Sequence, residues 1–114
     1  MKFDEITKEV TAILKNSSPL FLSAYQICQR IETRNPALWQ RLIHEYPSTN
    51  PDTPMGEGTG QYYSPASFIG NALKHYSKQN VIKGLRQEYF DSEGVTFSGV
   101  EPGFTGNEVG IWAL

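Results

Sequence analysis

The spacing of apolar residues changes once along this chain and divides it into a helical part and a β part. In four segments between Phe3 and Tyr76 the apolar residues recur every three or four positions, which is typical of amphipathic helices. Between Leu85 and Phe90 the pattern alternates, which indicates a strand. This order predicts an α+β fold with the strands after the helices. A chain of 114 residues, 39 % of them hydrophobic, has material for one core, so we assign 1–114 to a single domain.

Helix starts are signalled by short-range capping patterns. Ser23 and Gln26 have the spacing of a capping box, in which each side chain bonds the other residue's backbone N–H. Asn35 and Ser64 each precede a proline, which is the pattern of an N-cap followed by the first helical residue. The predicted helices cover residues 3–15, 23–33, 36–46 and 64–76. Their apolar faces predict a shared core that contains Ile13, Ile27, Phe68 and Leu73.

The C-terminal part is predicted to form a β-hairpin over residues 85–114. A turn signal at 91–94 follows the alternating segment, and a strand continues over 95–98. Residues 98–107 are loop-like because they contain three glycines and a proline, and residues 108–114 return as a strand.

Residues 47–63 are predicted to be a flexible loop. Prolines and glycines punctuate this polar stretch, and loops of more than about 12–15 residues are uncommon unless functional or mobile. We therefore expect limited proteolysis to cut within 48–60 first. The glycines between Gly56 and Gly60 do not form a phosphate-binding P-loop, since the required spacing and the following lysine are missing.

The order of elements resembles a winged helix-turn-helix domain. Residues 64–73, SPASFIGNAL, look like a recognition helix. Residues 80–86, NVIKGLR, resemble the passage into a wing, and residues 110–114, GIWAL, resemble its returning strand. The resemblance implies DNA binding in transcription regulation, with a recognition helix at about 64–76. An inserted helix at 36–46 with its long loop, and a long acidic wing, depart from the common pattern.

The charge map favours one surface for nucleic acid. The net charge of −2 excludes a strongly basic field over the whole protein. Residues 61–87, however, hold four basic residues and no acidic one, whereas residues 88–114 hold five acidic residues and no basic one. A local group of cations binds phosphates by releasing counterions. The predicted DNA-binding residues are Ser64, Ser67, Asn71, Lys74, Lys78, Lys83 and Arg86. The competing interpretation is an ordinary solvated helix face.

Within the helix opened by Ser64, two residues are suited to reading bases. Asn71 could pair with an adenine edge, and Lys74 with guanine or a phosphate. Ser67 and Gly70 are small enough for a close approach to a groove.

Catalytic and metal chemistry find little support in the sequence. One cysteine excludes an internal disulfide and every multi-cysteine zinc site. Cys28 lies on an apolar face and is expected to be a buried, inert thiol. His44 is expected at the surface, because the sequence shows no nucleophile and orienting partner for it. His75 flanks the basic face and is expected in solvent, with contact to a phosphate as the alternative. The chain is therefore predicted to be no enzyme and to need no cofactor.

The sequence supports two hypotheses about function. The leading one is a DNA-binding winged-helix protein, and the alternative is a winged-helix module for protein–protein contact, favoured by the acidic wing. No segment reaches the about 20 apolar residues of a membrane span, so we expect a cytoplasmic protein. Winged helices that regulate genes often dimerise, and helix 3–15 is a candidate for a homodimer interface.

Overall fold

The computed structural model describes residues 1–48, 52–56, 63–91 and 108–114, and four α-helices lie within these ranges. They are α1 (Thr7–Ser17), α2 (Ala24–Arg34), α3 (Pro36–Glu45) and α4 (Pro65–Lys78). All four predicted helices are thus confirmed, with ends that differ by one or two residues. The first predicted helix, 3–15, is only partly α-helical, because Phe3–Ile6 form a 3-10 helix that leads into α1. None of these helices has the length and apolar character that crossing a membrane requires.

The capping residues act as predicted. Ser23 Oγ accepts a hydrogen bond from the Gln26 backbone N–H at 3.2 Å, and Gln26 Oε1 accepts one from the Ser23 N–H at 2.8 Å. Asn35 Oδ1 accepts from the Leu38 N–H at 3.2 Å. Each bond satisfies a donor that a helix start would otherwise leave without a partner.

Loss of the α2 cap should be measurable. We expect Ser23→Ala to lower the free energy of unfolding by about 1 kcal/mol, since the hydroxyl is the acceptor for the helix start and the residue is buried. Urea unfolding followed by circular dichroism measures the change. Ser77→Ala is the matched control, because this exposed serine lies inside α4. Equal losses in both variants would contradict the capping role.

Three antiparallel strands form one sheet in the described part of the chain. The strands are β1 (Leu22–Ser23), β2 (Arg86–Asp91) and β3 (Glu108–Ala113), in the spatial order β1-β3-β2. Trp112 lies opposite Leu22 on one side and opposite Gln87 on the other. The two strands at the ends of the predicted hairpin are therefore confirmed. The turn after Asp91, the strand at 95–98 and the loop to 107 fall in residues 92–107, outside the described residues.

The helices and one face of the sheet enclose a hydrophobic cluster of described residues. Ile13, Ile27, Phe68 and Leu73 are at most 1 % exposed and belong to this cluster, which confirms the predicted core. Trp112 joins it from the sheet. The apolar side of α1 is also buried inside the chain's own core, so that stripe does not remain free for a homodimer.

Hydrogen bonds and an ion pair attach the first residues to α3 and α4. The Met1 ammonium lies 2.9 Å from Glu45 Oε2, and the Tyr46 hydroxyl donates to the Met1 carbonyl at 2.9 Å. The Tyr76 hydroxyl donates to the Phe3 carbonyl. Burial raises the pKa of Tyr76 to about 12. Helix α3 is therefore held at its C-terminal end by the first residues of the chain.

Part of the predicted loop packs against α4. Thr53 and Met55 are buried, and the Ala66 N–H donates to the Met55 carbonyl at 2.9 Å. Residues 49–51 and 57–62 lie outside the described residues. Flexibility of the loop therefore stays a prediction for proteolysis to test.

Candidate nucleic-acid interface

One side of α4 is buried and the other presents polar residues. Asn71, Lys74 and Lys78 are exposed, while Ser67 and Gly70 are half-buried beside them. This division follows from the helical spacing, because the apolar residues of α4 recur every three or four positions and point into the core. Phe68, Ile69, Ala72, Leu73 and Tyr76 form the buried side.

The two serines at the start of α4 already have hydrogen-bond partners within the helix. Ser64 Oγ accepts from the Ser67 N–H at 3.3 Å, and Ser67 Oγ accepts from the Ser64 N–H at 2.9 Å. Ser64 is only 8 % exposed. Both residues thus act as a capping box in this structure, and their contact with DNA stays a prediction.

Asn71 is tied to the helix by one hydrogen of its amide. Its Nδ2 donates to the Ser67 carbonyl at 2.7 Å. An amide nitrogen carries two hydrogens, so the second hydrogen and Oδ1 are available for an adenine edge. The residue is exposed, and its side chain is held near the helix surface.

The four basic residues that are predicted to contact DNA are all exposed: Lys74, Lys78, Lys83 and Arg86. None of them forms an ion pair within the described residues. The ion pairs found there use Glu5, Glu9 and Glu45, all from the N-terminal half. Lys74 and Lys78 project from α4, and Lys83 lies in the connection to β2. Among the described residues, no acidic side chain therefore pairs with these four basic residues.

Arg86 lies on a different surface from the polar residues of α4. Its guanidinium carbon is 5.2 Å from the centroid of the Phe21 ring, a cation–π contact across the sheet. Successive residues of a strand point to opposite faces, and its neighbour Gln87 lines a cleft with Asn71 and Lys74. The structure thus brings Ser67, Asn71 and Lys74 to one wall and separates Arg86 from them.

A cleft of about 410 Å³ lies between α4 and the β2–β3 sheet. Its helix wall includes Ser67, Gly70, Asn71 and Lys74, and its sheet wall includes Gln87, Tyr89, Glu108, Gly110 and Trp112, with Tyr25 of α2 alongside. Sequence reasoning missed the sheet wall and Tyr25. The alternation after Leu85 was the available signal, but it does not show which face of the strand meets α4.

Gly110 keeps the sheet wall of the cleft open. A Cβ atom at this position would lie 3.3 Å from Gln87 Nε2 and 3.7 Å from Trp112 Nε1. Gln87 and Trp112 are direct partners in the β2–β3 register, so their side chains share a face. Two N–H donors therefore flank the space that the missing side chain leaves.

Acidic residues disfavour phosphate binding at the edge of the sheet where β2 ends and β3 begins. Asp91 and Glu108 lie opposite each other in the β2–β3 register, and both are exposed. Glu88 is exposed on the other face of β2. Like charges repel a polyanion, so phosphates are better placed beside α4 than at this end of the sheet.

The other reactive side chains form no site in the described part of the chain. Cys28 is fully buried, and burial raises the pKa of its thiol, which disfavours the reactive thiolate. His44 is exposed, and the centroid of the His75 ring lies 5.3 Å from the centroid of the Phe3 ring. No group of three or more His, Cys, Asp or Glu that could hold a metal ion occurs among the described residues.

The candidate functional features are thus the exposed side of α4, the cleft and the cations that form no ion pair among the described residues. No protein-family model, curated protein or solved structure matches the chain.

Proposed function

We propose that the protein binds DNA through the exposed side of α4, as a winged-helix-like domain that acts in transcription regulation. The observation that carries the proposal is the state of Lys74, Lys78, Lys83 and Arg86, which are exposed and without ion pairs among the described residues. Residues 61–87 contain no acidic residue to offset them. Such cations gain free energy at a phosphate backbone because they release condensed counterions.

The arrangement of elements supports the same proposal. A helix with an exposed polar side is followed along the chain by an antiparallel pair of strands, and a short third strand precedes α2. In this proposal α4 enters the major groove, where Asn71 and Lys74 reach base edges or phosphates. Lys78 and Lys83 contact the backbone, and Arg86 contacts it from the other face of the hairpin.

A base-reading role for Asn71 predicts a sequence-dependent loss. We expect Asn71→Ala to weaken binding to a preferred duplex by about 1–3 kcal/mol, with a smaller effect on random duplex. Selection from a random duplex library supplies the preferred site, and fluorescence anisotropy measures both affinities. An equal loss on both duplexes would contradict base reading.

The phosphate-contacting cations predict a different signature. We expect Lys78→Ala and Arg86→Ala to weaken binding to all duplexes about equally and to flatten the slope of log affinity against log salt by about one unit each. Lys15→Ala is the matched control, because this exposed lysine lies in the last turn of α1, away from α4, and carries the same charge. The measurement is a duplex titration at several salt concentrations.

The titration also decides the proposal as a whole. If the purified protein binds no mixed duplex at low salt and a concentration of about 100 μM, which is the weak end of non-specific binding, the DNA proposal is wrong.

A protein–protein interaction module is the second candidate. Tyr89 and Phe90 are 67 % and 51 % exposed on β2, and Glu88 and Asp91 flank them. Exposed aromatic residues are enriched at protein interfaces, and acidic neighbours disfavour DNA. The duplex titration separates the two candidates, since only DNA binding depends on Lys78 and falls steeply with salt.

A further inference from the structure

We propose that the cleft between α4 and the β2–β3 sheet binds a single nucleotide, with its phosphate at Lys74 and its base against the sheet wall. This inference rests on the proposed function, because it assigns a ligand chemistry to the same side of α4. It goes further in one respect: the ligand is an unpaired nucleotide, whereas groove binding requires an intact duplex.

The size and aromatic lining of the cleft suit a base. Its volume of about 410 Å³ falls in the range of small-molecule sites, about 300–1,000 Å³. Tyr25, Tyr89 and Trp112 line it, and Tyr89 is 67 % exposed, so its ring is accessible to a ligand. Bases stack on aromatic rings with little dependence on their identity, which makes aromatic residues the usual platform for unpaired bases.

The polar groups of the two walls differ in charge. The helix wall carries Lys74, a cation without an ion pair among the described residues. The sheet wall carries Glu108, which repels phosphate and accepts hydrogen bonds from a base amino group. A nucleotide has both chemistries, an anionic phosphate at one end and a base with donors at the other. Opposite charges on the walls therefore orient it.

Amide groups complete the recognition of a base edge. Asn71 and Gln87 line the cleft, and each offers a donor and an acceptor. Beside Gln87, the indole N–H of Trp112 adds a donor next to the space at Gly110. With Glu108 as an acceptor, the site favours bases that carry an amino group over thymine. Two sources share this chemistry: a free mononucleotide and a nucleotide within a single strand.

The test titrates the full-length chain with dGMP, dTMP, a mixed single strand of about 12 nucleotides and a mixed duplex. Isothermal calorimetry measures the four affinities. We expect dGMP or the single strand to bind, and Lys74→Ala and Tyr89→Ala each to weaken that binding by about fivefold or more. Lys15→Ala is the matched control, because Lys15 is exposed in the last turn of α1 and does not line the cleft, and we expect a change below about twofold.

A second variant of the cleft tests whether Tyr89→Ala acts on binding only indirectly. Gly110→Ala places a methyl group 3.3 Å from Gln87 Nε2 and narrows the cleft without changing charge. We expect it to weaken nucleotide binding as well, with an unchanged circular dichroism spectrum. Binding of dGMP as tight as that of the strand identifies a free nucleotide as the ligand, and tighter binding of the strand identifies single-stranded nucleic acid.

The outcomes separate this inference from the proposed function. The proposal that the cleft binds a nucleotide is wrong if neither dGMP nor the single strand binds. It is also wrong if Lys74→Ala and Tyr89→Ala leave their affinities unchanged. Duplex binding that still depends on Lys78 then leaves the proposed function intact. If the duplex also fails to bind, both are wrong.

Discussion

Replacing Phe68 by alanine is expected to lower the free energy of unfolding by about 3–5 kcal/mol. Phe68 is 1 % exposed at the start of α4, so its loss opens a cavity in the core. Its ring stacks on Tyr46 with centroids 4.4 Å apart and approaches Phe3 at 5.2 Å. Tyr63 meets the same ring edge-on at 5.7 Å. One truncation therefore removes a partner from three aromatic rings at once.

Urea unfolding measured by circular dichroism and by tryptophan fluorescence tests this expectation. Phe90→Ala is the matched control, because Phe90 is 51 % exposed on β2 and should change stability by less than about 1 kcal/mol. A loss below about 1 kcal/mol for Phe68→Ala would mean that α4 does not pack through this ring.

Replacing Gly56 by alanine is expected to lower the free energy of unfolding by about 2–4 kcal/mol. Its φ of +128° is a conformation that side-chain-bearing residues rarely adopt. A Cβ atom there would overlap with the Oγ and Cβ atoms of Ser64. The alanine must therefore displace the N-cap of α4, and loss of the cap adds to the backbone strain.

Gly70→Ala is the control for this variant. The nearest atom to a Cβ at Gly70 is the Ala24 Cβ at 4.0 Å, an ordinary contact, and the position is helical. Alanine is the better helix former, so we expect Gly70→Ala to stabilise the protein by up to about 1 kcal/mol. Opposite signs for the two glycines in thermal unfolding would support this account, and equal signs would contradict it.

The helices are predictable because their signals are local. The pairing of Ser23 with Gln26 and the proline after Asn35 or Ser64 act within one turn of helix, so the sequence contains the complete signal. The exposed side of α4 was predicted for the same reason. Ser64 was predicted as the N-cap, but the reciprocal hydrogen bonds between the hydroxyl of each of Ser64 and Ser67 and the other residue's backbone N–H were not predicted.

The cleft was not predictable because it depends on strand register. Tyr89 lies opposite Gly110 and Gln87 opposite Trp112, pairs that are more than 20 positions apart. Alternation in β2 separates Arg86 from Gln87 but does not indicate which of them faces α4. The contact of Arg86 with Phe21 resolves this, and it requires the position of β1 relative to the hairpin.

The central strand of the sheet, β3, is the last of the described elements along the chain, and it joins partners from both halves. It pairs with residues 22–23 at a sequence separation of 90 positions (112 − 22) and with β2 on its other edge. Contacts this distant carry a large loop-closure cost and form late, so local helices are expected to precede the sheet in folding. During synthesis, a nascent chain whose β3 segment is still inside the ribosome can form its helices. It cannot yet form the sheet wall opposite α4. The cleft proposed to bind a nucleotide is therefore complete only after the strand that closes the sheet has emerged.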